Sequence, residues 1–212
     1  MKRIISLLIV VSTLLSLFVF SPAGASSEES NFQNDIEEIM AIGIMEGDEN
    51  GDFNPLNNIT RAEFAKIISI IDGIDMNVVP GTESGFFDLE TNHWAYNYIY
   101  YAVSRGYMNG YPDGSFCPDE AITGNEAIKM LISLAGYDFR AVDSGGYPTG
   151  YVMVAHQLGI TNGLDIDYND CIYREEAARL INNALDVPYV EQIGVGKGQK
   201  YEINNLILHL KE

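Results

Sequence analysis

The chain has 212 residues, 47% of them hydrophobic and 20% charged, with 12 Lys and Arg against 30 Asp and Glu for a net charge of −18. That composition is globular, too apolar for a disordered chain and too charged for a membrane bundle. So negative a chain repels phosphate backbones, and no Lys/Arg cluster offsets the repulsion, so nucleic acid is excluded as a partner.

Lys2 and Arg3 precede an apolar run from Ile4 to Phe20, and Ser21-Pro22 leads on to Ala23-Gly24-Ala25. A positive start, an apolar middle and a small-residue end are the layout of a secretory signal peptide, predicted here over residues 1–25. Ser6, Ser12, Thr13 and Ser16 interrupt the run, which falls short of the roughly 20 apolar residues of a membrane span. No transmembrane segment is therefore expected after cleavage. Removing these 25 residues, with their two cations, leaves 187 residues at a charge of −20. Export permits a Cys117–Cys171 disulfide, but a chain this long can bury a core without one, and the pairing stays open.

The next feature is an internal repeat. Gly43-Ile-Met-Glu-Gly47 is followed by a loop with Gly51, Phe53 and Pro55 and then by Ile59-Thr-Arg-Ala-Glu63. Sixty-three residues later, Gly106, Gly110, Gly114, Phe116 and Pro118 keep the same spacing and lead to Ile122-Thr-Gly-Asn-Glu126. A third copy has Gly159 and Gly163, a loop shorter by three residues, and Ile172-Tyr-Arg-Glu-Glu176.

Apolar residues at helical spacing flank each loop. Before it stand Ile36, Ile39, Met40 and Gly43, then Ala95, Ile99, Ala102 and Gly106, then Tyr151, Val152, Ala155 and Leu158. After it stand Phe64, Ile67, Ile68 and Ile71, then Ala127, Met130, Leu131 and Leu134, then Ala177, Leu180, Ile181 and Ala184. Each copy reads helix, glycine-rich loop, helix, and one copy alone cannot bury its apolar faces. Gly47 and Gly110 stand where a left-handed helix cap is wanted, and Tyr111-Pro-Asp-Gly114 is a turn sequence. Thr60 with Glu63 and Thr123 with Glu126 are capping boxes. Tyr173 takes the cap position of the third copy ahead of Glu176, so that helix start is expected to fray or to be capped differently. Tyr189–Glu212 forms a tail in which Gly194-Val-Gly196-Lys-Gly198 lacks a Walker pattern, and the apolar stretch from Ile203 to Leu210 either packs on the repeats or begins a further domain.

These residues resemble the S-layer homology family. Phe87-Asp88, His93-Trp94-Ala95, Gly110-Tyr-Pro-Asp-Gly114-Ser-Phe116 and Ile122-Thr123 carry the likeness in the second copy, and Ile59-Thr-Arg-Ala-Glu63 carries it in the first. The third copy opens with Gly145-Gly-Tyr-Pro-Thr-Gly-Tyr151 and keeps Arg174 and Glu176. The resemblance implies an all-α fold of three repeats, over 31–75, 84–139 and 145–188, packed as one pseudo-threefold unit. It implies grooves between repeats that noncovalently bind a secondary cell-wall polysaccharide, often pyruvylated, and so anchor exported proteins at the cell surface. Contacts are expected from Arg61 and Arg174, from the loop glycines Gly47, Gly110 and Gly163, and from Trp94, Asp88 and Tyr111. No catalysis is implied.

Arg61 and Arg174 stand at the first position of a helix, where the macrodipole disfavours a cation. A guanidinium beside unsatisfied helix amides is expected to make a carboxylate pocket, and the alternative is pairing with a nearby acid. The second copy has Gly124 in that place, so its pocket is expected to be weak or lost. With so acidic a chain, recognition must rely on local cations and shape. Trp94 either stacks on a sugar ring or joins the core, and Asp88 either caps a helix or receives a sugar hydroxyl.

No catalytic, cofactor or metal motif is present. His93, His156 and His209 are isolated from one another and from the cysteines. Asp48-Glu-Asn50-Gly-Asp52 opens like an EF-hand, but Phe53 stands where Gly is needed and Ile59 where a bidentate Glu is needed. Two functions compete with the anchor: an adaptor that binds another exported protein, and a small polysaccharide-acting enzyme, for which no carboxylate pair is left unexplained by the repeats.

Overall fold

The computed structural model describes residues 29–77, 84–193 and 200–205. The expected signal peptide lies outside the described residues, as do 194–199 and 206–212 of the tail. Met1–Asn31 and Phe32–Glu212 are separate compact units, and every contact below lies within the second. The elements are α1 (Glu29–Ala41), α2 (Arg61–Ile71), α3 (Tyr96–Ser104), α4 (Gly124–Leu134), α5 (Asp138–Asp143), α6 (Thr149–Leu158), α7 (Arg174–Leu185), β1 (Pro188–Ile193) and β2 (Lys200–Asn205). No described helix is long and apolar enough to cross a membrane.

Helices α2, α4 and α7 follow the three loops and start alike. Thr60 accepts from the Glu63 amide at 3.1 Å while Glu63 accepts from the Thr60 amide at 2.8 Å. Thr123 and Glu126 repeat the exchange at 3.3 and 3.0 Å. Tyr173 has no hydroxyl to offer there. In that copy only Glu176 reaches back, accepting from the Tyr173 amide at 2.7 Å, so the third start is capped by half a box.

The apolar periodicity decides what packs. Phe64, Ile67, Ile68 and Ile71 on α2 are buried, as are Ala127, Met130, Leu131 and Leu134 on α4 and Ala177, Leu180, Ile181 and Ala184 on α7. Each large aliphatic buried this way contributes about 1.5–3 kcal/mol. On α1, Ile36 and Ile39 are inside, whereas Met40 is exposed.

The three helix starts close on one another. Ile59, Ile122 and Ile172, all fully buried, form a ring of backbone hydrogen bonds: the Ile59 amide donates to Ile172, Ile172 to Ile122 and Ile122 to Ile59, at 3.2, 3.1 and 3.0 Å. Single β-bridges flank it at Asn58 with Tyr173, Thr60 with Ala121 and Thr123 with Cys171. The pseudo-threefold arrangement is thus carried by backbone, with the isoleucines at its centre.

Gly47 and Gly110 are not left-handed caps. That conformation belongs to Gly43, Gly106 and Gly159, at φ +74°, +78° and +81°. At Gly47 a Cβ would lie 2.6 Å from the Gly51 carbonyl oxygen, and at Gly110 2.7 Å from that of Ser115 and 2.2 Å from the Phe86 ring. Close approach of the loop to itself, rather than backbone handedness, therefore excludes a side chain. The Tyr111–Gly114 turn forms as expected, with the Gly114 amide donating to Tyr111 at 3.0 Å.

One extra helix and one pair of strands lie outside the helix-loop-helix pattern. Short α5 joins α4 to α6, and β1 pairs antiparallel with β2 from Pro188 opposite Asn205 to Ile193 opposite Lys200. Val190 is buried and its amide donates to the Ala135 carbonyl at 3.0 Å, so the described start of the tail packs on the repeats. Cys117 and Cys171 are free thiols.

Candidate functional site

The site is built where one copy's helix start meets the next copy's loop. Arg61 begins α2 and is only 3% exposed. Its Nε donates to the Phe116 carbonyl at 2.9 Å, its Nη2 to the Asn109 carbonyl at 3.1 Å, and its Nη1 to Glu126 Oε1 at 2.6 Å. Its guanidinium lies between the Tyr111 and Phe116 rings, 4.7 and 4.8 Å from their centroids, a geometry that suits a planar cation. Arg174 repeats the pattern in the next interface. Its Nε donates to Phe53, its Nη2 to Glu46 and its Nη1 to Glu63 Oε1, at 2.9, 2.8 and 3.0 Å, with the Phe53 ring 4.8 Å away.

Both arginines therefore do pair with an acid, and that acid is the capping-box glutamate of the neighbouring copy. The expectation of unsatisfied helix amides fails. The Arg61 and Ala62 amides donate to Glu120 and Pro118, and the Arg174 and Glu175 amides to Asn57 and Pro55. A hydrogen-bonded loop leaves those donors no capacity for a ligand.

Among the described residues, two open grooves occupy equivalent places. The first, of about 440 Å³, is lined by Arg61, Met108, Asn109, Gly110, Tyr111, Glu126, Lys129 and Met130, with Tyr107, Tyr147 and Tyr151 completing it. The second, of about 160 Å³, is lined by Arg174, Met45, Glu46, Gly47, Glu63, Lys66 and Ile67, with Ile44 and Trp94. The same 63-residue offset that relates the loop glycines relates Lys66 to Lys129 and Glu46 to Asn109. The two lysines were not singled out from sequence, although that offset marks them.

Lys129 donates to the carbonyls of Gly106 and Tyr107 at 2.9 and 2.8 Å. Burial holds its ammonium below the ordinary lysine range, only partly opposed by Asp138. Around it, burial raises the Tyr111 and Tyr147 phenols, and Tyr151 is pushed up to about 12 by burial and by its hydrogen bond to Asp138. The tyrosines therefore stay neutral hydroxyls. A partly desolvated cation beside flat aromatic faces and amide-rich loop backbone suits an anionic sugar.

The third interface is different. Gly124 stands where the arginines stand, and a Cβ there would lie 2.9 Å from the Cα of Tyr168. The position matching Lys66 and Lys129 is Arg179, buried, bonded through Nε to Asp35 of α1 and stacked 4.9 Å from Phe32. The lost cation expected from Gly124 is accompanied by a structural lock.

The other expected site residues separate accordingly. Trp94 is 55% exposed and lines the second groove, so it does not join the core. Asp88 neither caps a helix nor faces a groove: it accepts from the Phe116 and Cys117 amides at 2.8 and 2.7 Å and so clamps the second loop. Gly163 has φ +75° and lines neither groove. His93 accepts from the Ala95 amide at 3.2 Å, and His156 Nδ1 is 2.6 Å from the Thr161 hydroxyl. Among the described residues no His/Cys/Asp/Glu cluster could hold a metal ion. The exposed Asp48 carboxylate is engaged by its own loop, accepting from the Asn50 and Asp52 amides at 2.9 and 3.0 Å.

Comparison with known proteins bears on the same segments. The model of the S-layer homology domain matches residues 30–65 and 85–128, each running from the first helix of a copy through its loop to the start of its second helix. The chain belongs to the S-layer homology family. It is 43% identical over 162 residues, 67% of its length, to Cell surface glycoprotein 1 of Acetivibrio thermocellus, of which it spans 7%. It is 25% identical over 221 residues to the Middle cell wall protein of Brevibacillus brevis, spanning 20% of it, and 43% identical over 84 residues to the Cellulosome-anchoring protein of Acetivibrio thermocellus, spanning 19%. The S-layer homology segment thus corresponds to a small part of each of these relatives.

Proposed function

We propose that this chain is a noncovalent anchoring module of the cell surface, exported by residues 1–25, whose inter-repeat grooves bind the secondary cell-wall polysaccharide, in its pyruvylated form where the polymer carries that ketal. The third copy acts as an S-layer homology repeat with the other two. The observation that carries this reading is the Arg61–Lys129 groove: a buried guanidinium and a desolvated ammonium beside Tyr111, Tyr147 and Tyr151, on a chain whose net charge otherwise repels anions. Relatives named as cell-wall, cell-surface and cellulosome-anchoring proteins support it. No step of catalysis is proposed and no cofactor is required.

Co-sedimentation with bacterial sacculi tests it. The protein is expected to pellet with intact sacculi, to stay in solution once the secondary polymer has been acid-extracted, and to lose binding in a Lys129→Met/Tyr147→Ala variant that melts like the parent. Equal pelleting with extracted sacculi would reject the polymer. Retention by neither preparation would favour the adaptor reading, in which the repeats bind another surface protein.

A further inference from the structure

The two open grooves differ in charge, and the difference sits at one position. The first groove, with Arg61 and Lys129, has Glu126 as its one lining carboxylate, with Asp138 behind Tyr151, whereas the second, with Arg174 and Lys66, is lined by both Glu63 and Glu46. Positions 109 and 46 are equivalent down to the backbone, since the carbonyl of each accepts Nη2 of the groove arginine, at 3.1 and 2.8 Å. The side chains therefore leave the same point. Asn109 is neutral, while the Glu46 carboxylate reaches the Lys66 ammonium at 2.8 Å. That contact holds the Glu46 carboxyl below the usual carboxylate range, so it is charged at neutral pH.

We infer that Glu46 is a built-in counter-charge that keeps anions out of the Arg174–Lys66 groove, so that the chain takes one carboxylate-bearing sugar unit, in the Arg61–Lys129 groove. This rests on the polysaccharide reading given above. An anion entering the second groove has to part Lys66 from Glu46 and then lie beside the displaced carboxylate, a like-charge contact that disfavours it. In the first groove the same anion meets an ammonium with no carboxylate at the matching position.

A reciprocal exchange tests the inference, because Asn109 and Glu46 are both exposed and neither belongs to the core. The titrants are single-unit fragments of pyruvylated wall polysaccharide from Gram-positive sacculi, and the same fragments with the carboxylate reduced to an alcohol. Calorimetry is expected to give one equivalent of the charged fragment for the parent. Asn109→Glu should weaken that binding about tenfold, the scale of one close like charge in a partly solvated site. Glu46→Asn should raise the stoichiometry to two. Two equivalents for the parent, or a Glu46→Asn protein that still binds only one, overturns the inference alone. Binding of neither fragment to any of the three proteins overturns the polysaccharide reading and this inference with it.

Discussion

Glu126 serves Arg61 and its own helix at once: one carboxylate oxygen accepts the guanidinium of the preceding copy at 2.6 Å while the other closes the capping box of α4 on the Thr123 amide at 3.0 Å. Removing either residue disturbs both an interface and a helix start. Glu63 does the same for Arg174 and α2.

Arg61→Ala is therefore a stability variant before it is a binding variant. Leaving Glu126 and the Asn109 and Phe116 carbonyls without their donor should cost about 3 kcal/mol. Arg174→Ala should cost less, because its side chain and that of Glu63 are more exposed, at 12% and 36%, and only one ring flanks it. Urea denaturation of both variants checks the order. Equal costs would mean that the Tyr111–Phe116 sandwich contributes nothing.

Gly124→Ala separates helix propensity from packing. At the first turn of an exposed helix the change would be favourable, but here the new methyl meets the backbone of Tyr168. A loss of about 1–3 kcal/mol is expected, in line with overpacking. A stabilised variant would show that the loop moves aside freely.

Tyr173→Thr and Cys117→Asn restore what the other copies have. Tyr173 is 44% exposed with cap-compatible backbone at φ −77° and ψ 160°, so a threonine hydroxyl should complete the box and add about 1 kcal/mol. Cys117 sits at φ +55°, and its counterpart in the first copy is Asn54 at φ +54°. Asparagine tolerates that region better than cysteine, so a gain of about 1 kcal/mol is expected. Thermal melts of the two single variants and of the double, whose gains should add, check both.

Acid stability should fail late. Asp48 accepts backbone amides of its own loop, Asp113 the hydroxyl and then the amide of Ser115, and Asp167 the backbone and side-chain amides of Asn169, which lowers all three below their ordinary value of 3.8. Because the folded pKa is depressed, this stabilisation is fully present above 3.8 and is lost as pH falls through the lower folded values. Between pH 7 and about 5, relief of self-repulsion in so acidic a chain acts in the opposite sense. Melting temperature is thus expected to rise from pH 7 toward pH 5 and to drop only below pH 4. A monotonic fall from neutrality would contradict this.

Polymer affinity should fall at alkaline pH earlier than a free lysine would dictate, since burial holds Lys129 below its ordinary 10.5. Binding measured between pH 7 and pH 10, with Lys129→Arg losing the early decline, checks the assignment.

The repeat, the helix starts and the apolar faces were legible because each leaves a periodic mark: Ile59, Ile122 and Ile172 stand just before the cap positions and all are buried at the centre. The role of the arginines was legible only in part. Their place at the first helical position is readable, but their partners Glu63 and Glu126 already had a local task, and nothing in a chain pattern says that a carboxylate has a second oxygen turned to another copy. Lys66 and Lys129 were overlooked for the opposite reason, as lone polar residues on apolar helix faces. The role of Asp88 as a loop clamp was not legible because the distance it bridges, 28 residues along the chain, leaves no local signature. The β1–β2 hairpin escaped because its alternation is weak in so short a stretch.

The closed ring at Ile59, Ile122 and Ile172 fixes how such a module can be enlarged. An open stack of repeats offers a free end to which another unit can be added. Here every isoleucine amide at the centre already donates to the preceding copy, and the first donates to the last, across more than a hundred residues of chain. A fourth unit has no seat, so greater avidity has to come from a second triplet rather than a longer one. The bond joining first to last also requires residues 59 and 172 to meet, so a truncation removing the third start opens both of its neighbours.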